Sequence, residues 1–184
     1  MLTPKRVFFP LAVLVTLSFG AAGSAYSIAT SPEILGPDAP SCAPDSAGPA
    51  VLLHIDGFKD RKGHVRAELY PPTQADFVAP GSRLRAEGKT FRRIDVPTPE
   101  SGEASICVQL PGPGTYAMAV MHDRDADSHL DVFSDGFGFP NNPRVGFAIP
   151  DVAKVAFTVT TGVTSFEVLL NYWTGFSAHP IKKN

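Results

Sequence analysis

Aspartates stand at 123, 125, 127 and 131, with one more at 135, in a segment that opens His122-Asp123-Arg124-Asp125-Ala126-Asp127-Ser128-His129-Leu130-Asp131. Carboxylates at alternate positions let one tight turn aim several oxygens at a common point, as a hard cation with about six to eight oxygen ligands requires. Calcium is the cofactor that this spacing implies. Asp123, Asp125 and Asp127 take the first, third and fifth places of a calcium loop; His129 would offer its backbone carbonyl, Leu130 would anchor the loop in the core, and Asp131 would bind directly or through water. Two places depart from that pattern. Ser128 stands where a glycine usually supplies a left-handed turn, and Ser134 stands where a bidentate glutamate usually closes the shell, which leaves closure to Asp135, a carbonyl or Asn141. The same residues also describe an aspartate-rich turn held by side-chain-to-backbone hydrogen bonds without an ion. Against that, carboxylates this close repel one another unless a cation offsets them, and Arg124 alone is too little. A transition metal on His122, His129 and an aspartate is a third arrangement, but the chain has no histidine pair with zinc-enzyme spacing.

Other chemistry finds less support. There is no Gly-x-Ser-x-Gly, the two cysteines read as structural, and Glu68, Glu87, Glu100, Glu103 and Glu167 read as surface groups. A glycosidase would need two carboxylates at a separation that sequence does not reveal. Tyr172 and Trp173 could offer a sugar-stacking platform, but ordinary core or edge packing of the aromatics is the favoured reading. Most of the interest stays in residues 122–150, which lack a strand or helix period yet contain Phe133, Phe137, Phe139 and Phe147 among glycines and prolines. A loop of that length in a compact domain is disordered or functional, and its phenylalanines predict an ordered excursion packed on itself or on the domain.

The elements that must position this loop are strands. Val51, Leu53 and Ile55 alternate with polar or outward positions, as do Val65, Ala67 and Leu69, and Asp60–Gly63 between them supplies turn residues, so 51–58 and 63–70 read as a hairpin. Residues 89–96 alternate Phe91, Arg93 and Asp95 against Thr90, Arg92 and Ile94, an ambiguous pattern that suggests an edge strand with charges facing water, paired with 104–110. Tyr116, Met118 and Val120 point one way while Ala117 and Ala119 point the other, and 154–161 with 164–173 make a last pair. Pro80-Gly81 breaks any long helix between 76 and 87. The expected fold is all-β: an antiparallel β-sandwich of about seven strands, immunoglobulin- or transthyretin-like, with one long Asp/Phe/Gly-rich loop.

Lys5 and Arg6, the apolar run Val7–Phe19 and the small residues up to Ala25 have the order of a signal peptide, and the run is too short to span a membrane. The chain therefore divides into a signal peptide at 1–25, a Pro-rich lead-in at 26–49, a β-sandwich domain at 50–176 and a C-terminal tail at 177–184. The expected location is periplasmic or secreted, with no transmembrane segment after cleavage. Cleavage removes Lys5 and Arg6 from the 16 bases, so 14 face 18 acids at a net charge of −4, and the basic clusters around Arg66 and Arg92 are interleaved with acids. That balance argues against nucleic acid as a partner and reads the bases as a solvated strand face. Cys42 and Cys107, an even pair in an oxidising compartment, are predicted to bond and to staple the lead-in to the sheet.

From Gly114 through Asp131, then Gly136–Asn142, Val155–Phe157 and Leu169–Tyr172, the chain resembles a bacterial secreted family called domain of unknown function 2141, over about residues 50–176. Its hallmarks are a Gly-x-Tyr-Ala strand running into a His-Asp-x-(Asp/Asn)-x-(Asp/Asn)-Gly-x-Leu-Asp segment, and a Gly-Phe-Ser-Asn-Asn-like stretch. Ser128 replaces the family's usual glycine and Pro140 its frequent serine. The resemblance implies an exported β-sandwich and carries no activity. The expected function is a non-enzymatic, monomeric binding or structural module of the cell envelope. Calcium would order its Phe-rich loop, and an envelope protein or a glycan would be its partner. The alternative is a hydrolase or carbohydrate-active enzyme with its site in the 122–150 loop.

Overall fold

A computed structural model describes residues 33–146 and 148–181. The signal peptide, the lead-in up to residue 32, Phe147 and the last three residues of the tail lie outside the described residues. The rest is a two-sheet β-sandwich, as the alternation predicted, antiparallel apart from two parallel pairs.

The smaller sheet holds β1 (Ile34–Leu35), β5 (Ala104–Gln109), β2 (Ala50–Asp56) and β9 (Val163–Leu169), in that spatial order. β1 runs parallel to β5, and β9 runs parallel to β2. The larger sheet runs β11 (Ser177–Pro180), β10 (Asn171–Thr174), β7 (Gly136–Gly138), β6 (Gly114–Asp123), β3 (His64–Tyr70) and β4 (Arg92–Pro97). β6 is the axis of this sheet. One of its edges pairs with β3 along its length; the other is shared by β8 (Ala156–Val159) beside Gly114–Ala117 and by β7 beside Val120–His122.

Several pairings differ from those the sequence suggested. β2 and β3 are not a hairpin: residues 57–63 carry the chain from one sheet to the other. β4 is an edge strand, but its partner is β3, while β5 pairs with β2. β8 and β9 lie in different sheets. The single run 163–174 crosses between sheets at Leu170, whose N–H still bonds to Asp56 O at 2.9 Å, before Asn171 pairs with Phe137. Part of the expected tail, Ser177–Pro180, is strand β11 against β10.

The core lies where the inward faces meet. Val51, Leu53 and Ile55 from β2 and Ile106 from β5 pack on Val65 and Leu69 from β3 and Met118 and Val120 from β6. Alternation places these residues there because successive side chains of a strand point to opposite faces. The larger sheet buries apolar groups on its outer face too, where Ala117, Tyr70 and Phe137 meet Phe77, Leu84 of α1 (Gly81–Ala86), Phe139 and Val155 of the short α2 (Val152–Val155). The smaller sheet's outer face is covered by the lead-in. Its 3-10 turn, Ala39–Cys42, holds Cys42 in the expected disulfide to Cys107 on β5. Buried Asp38 adds to the tie by accepting from Gln109 N at 2.9 Å and pairing with Arg92 of β4.

Candidate functional site

Asp123 is the last residue of β6, and Asp135 precedes the first residue of β7. Because β6 and β7 pair with His122 opposite Gly136, the two ends of the aspartate loop are brought together at the mouth of an antiparallel hairpin. The tertiary structure thus gathers Asp123, Asp125 and Asp135, each with a carboxylate oxygen within 4.8 Å of the others. Asp123 and Asp135 are buried and Asp125 is exposed.

Backbone donors hold the two buried carboxylates. Asp123 accepts from Asp127 N at 3.2 Å and Ser128 N at 2.9 Å; Asp135 accepts from Arg124 N at 3.0 Å and Asp131 N at 2.9 Å. The other predicted ligands use their side chains locally. Asp127 accepts from His129 N at 2.7 Å, Asp131 accepts from Phe133 N at 3.1 Å, and the His129 ring is exposed. Ser128, at the expected glycine position, has φ +72°, so the backbone makes the left-handed turn despite its Cβ. Gly63 presses on the root of the loop: a Cβ there would lie 1.9 Å from Asp123 O, and its φ is +65°.

Two further residues stand beside the cluster, and sequence reasoning missed the burial of the first. Arg66, read as part of a solvated basic face, is buried. It bonds Asp95 through Nε at 2.8 Å and through Nη2 at 2.5 Å, reaches Asp123 at 3.5 Å, and donates to Ser128 O at 3.0 Å. The β3 alternation offered no warning, because an arginine beside two acids in neighbouring strands is a matter of register. Ser134 Oγ, at the loop's closing position, is a buried oxygen without a hydrogen-bond partner among the described residues. Arg124 braces the loop from outside by pairing with Asp60 and donating to Ser134 O at 2.9 Å, which holds the Asp60 carboxyl below its usual range.

His122 is not available for chemistry. Its ring is fully buried, with Nε2 2.9 Å from Lys62 O and Nδ1 2.6 Å from the Tyr172 hydroxyl. A carbonyl only accepts, so Nε2 carries the proton and Nδ1 accepts from Tyr172, whose oxygen in turn accepts from Lys59 N at 3.0 Å. Burial pushes the His122 pKa down and the Tyr172 pKa up to about 12, so both are neutral at pH 7. Tyr172 is a buried strut, whereas its neighbour Trp173 faces a cavity.

That cavity, about 580 Å³, lies between the outer face of the larger sheet and described residues of the segments 128–146 and 148–150. Ala119 and Met121 of β6, Phe137 of β7 and Trp173 of β10 are on its sheet side; Val132 and Ile149 are on the loop side. Phe137 and Phe139 pack inward as expected of an ordered excursion, while Phe133 stays 73% exposed. Glu68, read from sequence as a surface group, lies in the cavity wall, where it accepts from the Tyr70 hydroxyl and from Arg93 Nε at 2.5 Å.

A family described as an uncharacterized protein conserved in bacteria (DUF2141) matches residues 53–167, from β2 into β9 and including the whole aspartate loop. The chain belongs to this family. No curated protein and no solved structure matches it. Among the described residues no helix is long and apolar enough to cross a membrane.

Proposed function

We propose that this DUF2141 protein is an exported, non-catalytic binding module of the cell envelope. In this reading calcium at Asp123, Asp125 and Asp135 sets the position of the 124–151 loop, which meets the partner, an envelope protein or a glycan. The observation that carries the reading is the convergence of those three carboxylates at a hairpin root, two of them buried, with Arg66 the one cationic side chain bonded to them among the described residues. Buried like charges are costly unless paired, and calcium supplies the missing charge with flexible oxygen coordination. The unpartnered Ser134 Oγ adds support from the loop's closing position. Export accords with the leader's residue order and with the disulfide, a bond that persists in oxidising compartments. The burial and locked tautomer of His122 speak against a catalytic role for the one histidine at the loop's root.

Thermal unfolding of the mature protein in EDTA and across a calcium titration tests the ion. Calcium at 100 times its dissociation constant adds about 2.7 kcal/mol and raises the midpoint by several degrees. The rise is expected with calcium and not magnesium, and it is expected to vanish in Asp123→Ala/Asp125→Ala. Proteolysis within 123–150 should slow with calcium in the wild type only. Equal midpoints and equal cleavage with and without millimolar calcium would overturn the reading.

A further inference from the structure

We infer that the cavity beneath the 128–150 loop is a binding site for an uncharged, hydrocarbon-rich small molecule. This site adjoins the aspartate cluster through Arg66 and Ser128 in its wall, and the inference rests on the lining of the cavity and not on an ion.

Three observations carry the inference. The volume, about 580 Å³, falls within the roughly 300–1,000 Å³ of small-molecule sites. The cavity is built in by residue choice. β6 places the small Ala119 on the outer face, after Ala117 and opposite Glu68 of β3, and the described residues of the loop leave a hollow there. Its edge is apolar as well: Leu130, Val132, Phe133 and Ile149 line it and keep between 42% and 73% of their surface exposed, an arrangement that costs solubility unless something covers it.

The wall also says what the ligand's charge must be. Its ionised side chains are Arg66, Glu68 and Arg93. Arg66 is met by Asp95 and Asp123, and Glu68 is met by Arg93 and the Tyr70 hydroxyl. Every charge in the wall thus has a partner within the protein. An ionised ligand would bring an unmatched charge into a largely hydrocarbon enclosure, at a desolvation cost that no side chain repays. A neutral oxygen is a different matter, because the half-exposed Arg93 guanidinium at the polar end of the wall can donate to a hydroxyl or ester carbonyl. The fitting class is a neutral lipid-like molecule: a long-chain alcohol, an ester or a compact terpenoid.

The test uses the mature protein and the uncharged dye N-phenyl-1-naphthylamine, whose fluorescence rises in apolar surroundings. We expect saturable binding of one dye per chain, displaced by 1-decanol at least tenfold more effectively than by decanoate at pH 8. Ala119→Phe fills the floor and should weaken dye binding at least tenfold with an unchanged thermal midpoint. Ile149→Asp, on an exposed position where folding is not at stake, should weaken it severalfold. Absence of saturable binding would overturn the site itself. Binding that both variants leave intact would move it elsewhere, and displacement by decanoate as good as by decanol would overturn the neutral class. A concentration-dependent dimer that excludes dye would reassign the surface to a second copy of the chain.

Discussion

The two outer faces of the sandwich are closed in opposite ways. On the smaller sheet the lead-in is pinned by the Cys42–Cys107 bond and by buried Asp38, which bonds both β4 and β5; Cys42, Ala50 and Cys107 form a tight apolar cluster beneath it. On the larger sheet the 124–151 segment is tied by hydrogen bonds alone, to Asp123 and Asp135 at its root, through β7 to β6 and β10, and from Asn142 to β9, and it leaves a hollow of about 580 Å³. The first closure is covalent and fills its space. The second is polar and spans its space. Covalent sealing suits a face that stays shut, whereas under the proposed function a roof held by carboxylates would respond to calcium and leave room for a ligand.

Removing the covalent seal is expected to have the largest effect. Cys42→Ser/Cys107→Ser frees a separation of 65 residues and should lower stability by about 3 kcal/mol in urea unfolding, with the aspartate loop's protease sensitivity unchanged. Gly63→Ala attacks the other closure at its root. The substitution forces Asp123 away and strains a left-handed backbone, for about 2–3 kcal/mol, and here loop cleavage should rise as well.

Acid should also act at the larger sheet's root. His122 has its pKa depressed by burial, so below its unfolded value, about 6.5, the unfolded chain binds the proton more readily. Stability is then full above that pH and falls below it by up to about 1.4 kcal/mol per pH unit until the folded pKa is reached. His122→Gln should flatten this part of the pH profile, measured by urea midpoints between pH 7.5 and 5, while lowering stability throughout. Ser128→Gly relieves a positive φ and should stabilise by about 0.5–1 kcal/mol, a small gain located wholly in the loop. Ala119→Phe should change stability least, by under about 1 kcal/mol, because it enters existing space; a loss above about 2 kcal/mol would mean that the hollow is closed in solution.

Much of the fold was legible in the residues because alternation is local. Val51, Leu53 and Ile55, or Tyr116, Met118 and Val120, declare a buried face wherever their strand finds a partner. The partner itself is not declared. Asp60–Gly63 looks like a hairpin turn, yet whether β3 folds back on β2 or crosses to the other sheet depends on which closure buries both inward faces, a comparison among distant segments. The same holds for Leu170, where one uninterrupted alternation serves two sheets. At the site, the spacing of Asp123 and Asp125 showed the cluster, and the disulfide followed from an even pair of cysteines. Arg66 looked like any exposed strand cation, since its burial follows from Asp95 and Asp123 arriving on either side.

By itself, then, the sequence determined the β class, the inward faces, the crosslink and the place where carboxylates crowd, because each of these is a property of residue type and short-range spacing. The tertiary structure alone decided which strands share a sheet, that Asp135 rather than Asp127 or Asp131 joins Asp123 and Asp125, and that a hollow opens over Ala119. Each of those depends on how far apart segments distant in sequence come to rest, and that distance is set by the packing of the whole domain.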